Sequence, residues 1–252
     1  MRIDINSDTG ESFGAYSIGH DAGLFRSITS ANVAAGFHAG DPSVLRATIR
    51  LARSNGVAVG AHPGFPDLWG FGRRRIPFST GEIERLFAYQ LGAAQALAAY
   101  SGHRIGYVKS HGALGNIAEI DRDVADAIAR AVRAVDSSLA FLTIALSQQE
   151  NAAAAAGLRT IAEIYADRGY TDDGHLIPRG QPGALITDPD DAANRVLTMI
   201  KAGAVVTASG KRLPTPISSV CVHSDSPHAV ETARRLRDRL AAAGVTIASF
   251  AQ

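Results

Sequence analysis

Short runs rich in valine and isoleucine alternate along this chain with longer amphipathic segments, and this alternation narrows the fold more than any other feature. The patterns predict strands at 2–6, 31–36, 57–61, 105–109, 139–145, 159–165 and 217–223. Helical patterns occupy 42–55, 80–101, 121–135, 147–156, 188–202 and 227–243. Strands alternating with helices of this length make βαβ units and a mainly parallel sheet. Asp41-Pro42 and Asp188-Pro189 each set an N-cap before a proline in the first helical turn, and Ser79 to Glu82 reads as a capping box. No proline- or serine-rich linker divides the chain, so one domain over 1–252 is expected.

Nearly every expected strand runs directly into a polar cluster. The clusters are Asn6/Asp8/Glu11, His38/Asp41, His62/Asp67, Lys109/His111/Asn116, Glu163/Asp167/Arg168 and His223/Asp225. In a parallel barrel the C-terminal strand ends converge on one face, where active sites are built. In a doubly wound sheet they would line a crevice instead.

Lys109 and His111 lie two apart and share one side of a strand. A lysine leaving an apolar strand needs an anionic partner, and Glu163 and Asp167 offer counter-charges. Asp41 is as well placed to cap a helix as to act in a site, and Asp8 and Glu11 suit turn chemistry as well as cation binding. The proline- and glycine-rich stretch after His62 is long for a βα loop, as lids are, and ends in Arg73-Arg74-Arg75. Cys221 and His223 share a face, and Gly10-Glu11-Ser12-Phe13-Gly14 matches the nucleophile-elbow pattern. Both are weak nucleophile signals, since Ser12 follows only one strand and a strand cysteine is usually core.

The charge balance, 25 basic against 24 acidic residues, gives no footprint for nucleic acid or an anionic membrane. With one cysteine, no signal-like start and no long apolar stretch, a cytoplasmic protein is expected. Ala208 to Arg212 echoes the end of a P-loop, but the glycine spacing is wrong and Arg212 stands where Ser or Thr is needed.

These motifs, in this order, resemble the LamB/YcsF family from Asp4 to about Gly244. The resemblance implies an α/β fold, a distorted, incomplete (β/α) TIM-like barrel of about seven strands related to glycoside hydrolase and deacetylase barrels. It implies ATP-dependent opening of 5-oxoproline to glutamate, with ATP as co-substrate and two partner subunits; a homo-oligomer is also compatible. The expected site is Asp8, His38, His62, Lys109, His111, Glu163 and His223, oriented or neutralised by Glu11, Asp41, Asp167, Arg168 and Asp225. Asp8 or Glu163 is the expected base and Lys109 the expected oxyanion stabiliser. Alanine at Lys109 is expected to slow turnover without unfolding the chain. One alternative is a metal-dependent deacetylase with the ion on Asp8, His38 and His62. Another is a non-catalytic metabolite-binding protein within a larger complex. Ser7, Ala35, Ser110, Gly115 and Ser224 depart from the family pattern, which points to an altered pocket shape.

Overall fold

The computed structural model describes residues 1–226 and 228–251. In chain order the elements are β1 (Arg2–Thr9), α1 (Asp21–Leu24), β2 (Ser30–Ala34), α2 (Pro42–Ser54), β3 (Ala58–His62) and α3 (Thr80–Tyr100). Next come β4 (Ile105–Val108), α4 (Gly112–Ile120), α5 (Arg122–Asp136), β5 (Ala140–Ile144), α6 (Gln148–Ala155) and β6 (Arg159–Tyr165). The chain ends with α7 (Pro189–Ala202), β7 (Ala204–Val206), β8 (Arg212–Pro214), β9 (Ser219–Val222), α8 (Ala229–Ala242) and β10 (Thr246–Ile247).

Strands β1 to β6 and β9 pair in parallel, and β9 pairs with both β6 and β1, so the ring closes with seven strands. The expected shortfall from eight strands is thus met without an open edge. A small antiparallel hairpin, β7–β8, fills the long stretch between α7 and β9, and β10 adds to the outer end of β1. The expected start of the last helix at 227 lies outside the described residues. α4 falls where site residues alone were expected, because the two glycines of its first turn read as loop.

Residue parity decides what fills the ring. One parity is apolar and packs outward against the helices: Ile3, Ile5, Ala31, Val33, Val59, Ala61, Val108, Phe141, Ile164, Val220 and Val222 are all buried in the main core. The other parity faces inward and is largely polar on β1, β2, β6 and β9: Asp4, Asn6, Asp8, Ser30, Asn32, Glu163 and Ser219. A separate apolar plug of Tyr107, Ala140, Leu142 and Ile161 fills the opposite wall of the interior. Tyr107 reaches across because Gly60, its register partner on β3, has no side chain; a Cβ there would lie 2.3 Å from the ring.

Such an interior is stable only if its polar atoms pair with one another. Near the N-terminal end of the ring Asp4 accepts from Thr29 and Ser30, each at 2.6 Å, and from Ser219. Burial nevertheless raises its pKa to about 6. A carboxyl whose folded pKa lies above its unfolded value contributes stability at low pH and loses it as pH climbs through the folded value. Wild-type stability, read by urea denaturation, is therefore expected to fall by about 2–3 kcal/mol between pH 4 and 6.5 relative to an Asp4→Asn variant.

Candidate active site

Lys109 follows β4 directly and its side chain enters the ring, 2 % exposed. Its ammonium lies 3.1 Å from Glu163 Oε2, 3.4 Å from Asp8 Oδ1, 3.3 Å from Asn6 Oδ1 and 3.1 Å from Cys221 Sγ. The Tyr165 ring lies 5.0 Å away on a further side. Burial alone would drive off the Lys109 proton, but Asp8 and Glu163 outweigh it and hold the amine well above its ordinary pKa. Burial likewise opposes ionisation of Asp8, and the Lys109 charge with His62 holds its carboxyl well below the usual range. Lys109 is therefore a fixed cation rather than a base, and Asp8 is a poor proton acceptor.

A second ring of amides supports these charges. Asn6 donates to Glu163 (3.1 Å) and Ser219 (2.7 Å), and Asn32 donates to Asn6 and Asp8 (both 2.8 Å). Tyr107 donates its hydroxyl to Asn32 at 2.7 Å. Asn32, Tyr107 and Ser219 escaped the sequence reading because in isolation they look like the wet face of a strand. The signal that reveals them is the inward parity of a closed barrel.

Beside Asp8 lies a cluster of three imidazoles. His62 Nδ1 donates to the Lys109 carbonyl (3.0 Å) and His111 Nε2 to the Phe71 carbonyl (2.8 Å). Rings so tied turn their remaining nitrogens, His62 Nε2 and His111 Nδ1, toward each other at 3.1 Å, and His62 Nε2 also lies 3.3 Å from Asp8 Oδ1. His38 stacks face to face on His111, centroids 3.5 Å apart, and both its nitrogens are buried without a partner. Burial with the neighbouring imidazoles lowers His38 strongly and His111 to about 3, so both are neutral. Phe71 (φ 54°) and Gly72 (φ 64°) are both left-handed, a conformation that turns the Phe71 carbonyl to His111; a Cβ on Gly72 would strike His38 and His111 at 2.7 Å. The stretch after His62 is thus a fixed wall, also held by Gln90 bonded to both the amide and carbonyl of Gly64.

Glu11 sits under this cluster, its Oε1 without a hydrogen bond and 3.6 Å from both His38 and His111. Burial and Asp8 raise its pKa strongly. Donor atoms of Asp8, Glu11, His62 and His111 all lie within 4.8 Å of one another. Two carboxylates and two imidazoles locked in tautomer by backbone carbonyls fit a transition-metal ion. This set replaces the expected Asp8, His38 and His62, because His38 stacks on His111 instead of joining the converging donors.

On the far wall Asp167 places both oxygens 2.9 Å from His223 Nδ1, which leaves His223 Nε2 free, and Tyr165 stacks on the imidazole. All of this opens into a cavity of about 660 Å³ lined by Asp8, His62, Lys109, His111, Tyr165 and His223. Glu163, with no exposure, acts through Lys109 rather than on the cavity. Asp225 is occupied with Arg73 at 2.8 Å. Asp41 caps α2 through Ser43 and Val44 and accepts from Gly14, so it belongs to the scaffold. Arg168 donates to the carbonyls of Ala184 and Ile177, which makes it a loop brace rather than a residue that orients or neutralises the site's charged side chains. Burial raises the Cys221 thiol well above its ordinary value, and it is no nucleophile. Of the departing positions, Ser7 donates to the Val222 carbonyl, Ser224 to Glu11, and Ser110 and Gly115 line the cavity. The outer half of the cavity, with Glu119, His175 and Arg179, was not foreseen in the sequence.

The burial of Lys109 alters one expectation. Its removal would leave two buried carboxylates unpaired, a loss of about 3–5 kcal/mol. Lys109→Met is therefore expected to lower urea stability by that amount, and adding Glu163→Gln to recover part of it.

The LamB/YcsF family model matches residues 3–252. The chain is 62 % identical to a 5-oxoprolinase subunit of Azorhizobium caulinodans, across 99 % of this chain and 98 % of that protein. It is 56 % identical to the corresponding 5-oxoprolinase subunit of Gluconobacter oxydans, across 97 % and 96 %. The crystal structure of the lactam utilization protein from Thermus thermophilus superimposes with a TM-score of 0.93 at 44 % identity, covering 99 % of this chain and all of that one. A putative cellobiose-phosphate cleavage protein from Enterococcus faecalis, 13 % identical with a TM-score of 0.56, shares the fold. Whole-chain family match, high identity and full structural overlap agree: this chain belongs to the LamB/YcsF family.

Proposed function

We propose that this chain is a single-domain, cytoplasmic hydrolase subunit that opens the lactam of 5-oxoproline to glutamate. The observation that carries this reading is a permanently charged ammonium at the floor of a cavity that also presents an aspartate-backed histidine. Relatives named as 5-oxoprolinase subunits and as a lactam utilization protein support the substrate class.

In the proposed reaction a water molecule attacks the lactam carbonyl carbon and gives a proton to His223 Nε2, the nitrogen that Asp167 leaves free. The carbonyl π electrons move onto oxygen, where the Lys109 ammonium stabilises the negative charge. The C–N bond then breaks, and the ring nitrogen takes the proton back from His223 to become the amine of glutamate. Asp8 and Glu163 keep Lys109 charged throughout, and the base assignment moves from them to His223 because Asp8 is held so firmly ionised.

Opening an unstrained lactam is uphill, so the reaction needs coupling to ATP. The chain has no phosphate-cradling motif, and we assign ATP handling to two partner subunits. The discriminating assay is glutamate release from 5-oxoproline and ATP, by this chain alone and with its partners. Release from the mixture, and its loss in His223→Ala, is the expected result; no release from any mixture of folded proteins contradicts the reading.

A second reading is favoured by the converging ring nitrogens of His62 and His111 beside a Glu11 oxygen that makes no hydrogen bond. A divalent ion on Asp8, Glu11, His62 and His111 would supply Lewis-acid chemistry for the same amide hydrolysis. If that holds, metal analysis of purified protein finds about one transition-metal ion per chain, and His111→Ala lowers its occupancy; a metal-free, fully active protein contradicts it.

A further inference from the structure

Four cationic side chains line the cavity: Arg73, Lys109, Arg168 and Arg179. Three already have partners. Arg73 holds Asp225 at 2.8 Å, Lys109 holds Asp8 and Glu163, and Arg168 donates to the carbonyls of Ala184 (3.1 Å) and Ile177 (2.6 Å). Arg179 has no hydrogen bond or ion pair with any described residue.

Its position is built. Residues Pro178 to Gln181 form a tight turn closed by the Gln181 amide on the Pro178 carbonyl (3.2 Å), with Gly180 at φ 90° in the third position. Arg168 braces both sides of this turn through Ile177 and Ala184. The turn sets Arg179 against the cavity, within the field of Arg73 and Arg168, both of which oppose its charge, and of Asp167 and Asp225, which favour it. A guanidinium beside two others that already have partners retains unspent positive potential, and its flat pair of donors suits a carboxylate. The cavity is also far larger than a five-membered lactam ring, so a substrate needs a second point of attachment to face Lys109 in one orientation.

We propose that Arg179 is the carboxylate anchor of this cavity, so that the site selects cyclic amides bearing an acid group, held with the acid on Arg179 and the amide carbonyl toward Lys109. This deepens the lactam-hydrolase reading and rests on it. It also gives the 166–188 loop a purpose: Arg168 does not touch the reacting amide but positions the turn that holds the anchor.

The test is calorimetric binding to the full-length chain of 5-oxoproline and of its neutral primary amide, which has the same shape without the charge. The wild-type chain is expected to prefer the acid. Arg179→Ala should weaken binding of the acid about tenfold or more while binding of the amide stays unchanged, and Arg179→Lys should restore part of the difference. Arg179 lies in an exposed turn, so neither variant threatens folding. Equal wild-type affinity for acid and amide, or an undiminished preference in Arg179→Ala, overturns the anchor and leaves the lactam reading standing. A wild-type chain that binds neither compound overturns the lactam reading, and the anchor with it.

Discussion

The ammonium of Lys109, buried between Asp8 and Glu163, is the interaction on which the rest of this molecule depends. A lone charge in a barrel interior would lose its proton or unfold its surroundings. Here each member of the trio justifies the others: the carboxylates keep the amine charged, and the amine keeps Asp8 ionised. The amides of Asn6 and Asn32, with the hydroxyls of Tyr107 and Ser219, supply the hydrogen bonds that the charges lose by leaving water. Such networks are stable only when nearly complete, which is why so few of these polar atoms lack a partner.

Two buried carboxylate oxygens in this region, Glu11 Oε1 and Glu163 Oε1, make no hydrogen bond. Glu163 Oε1 belongs to a side chain with no exposure, whose partners are within the scaffold. Glu11 Oε1 belongs to the histidine cluster, where two ring nitrogens also face each other at 3.1 Å. One end of the site therefore carries a fixed positive charge and the other a surplus of donor electron pairs. That asymmetry suits the polarisation of a carbonyl, and it lies at the closed floor of the cavity rather than at its rim.

Much of this was legible from residues alone. Asp8, His62, Lys109 and His223 follow or end buried strands, and the rule that parallel strand ends converge is sufficient to group them. Asn32, Tyr107 and Ser219 were hidden because alternation such as Ile3-Asp4-Ile5-Asn6-Ser7-Asp8 reads equally well as a sheet with one wet face. Only closure of the ring turns that polar face into an interior. Asp41 was balanced between capping and chemistry, and its bonds to Ser43, Val44 and Gly14 decide for capping. Glu119, His175 and Arg179 were illegible for a different reason: long loops and α4 bring them to the cavity, and no local period marks a residue placed by tertiary packing.

The permanent charge on Lys109 can be observed directly, because the chain has only three lysines, the others being Lys201 and Lys211. With lysine Nζ labelled by ¹⁵N, proton-coupled NMR across a pH titration reads the charge state of each amine. One ammonium resonance that remains unshifted as pH rises past 10.5, the ordinary value for a lysine, with its protons protected from solvent exchange, is the predicted result. The absence of any such resonance, because the Lys109 amine titrates at or below that value, would contradict the account.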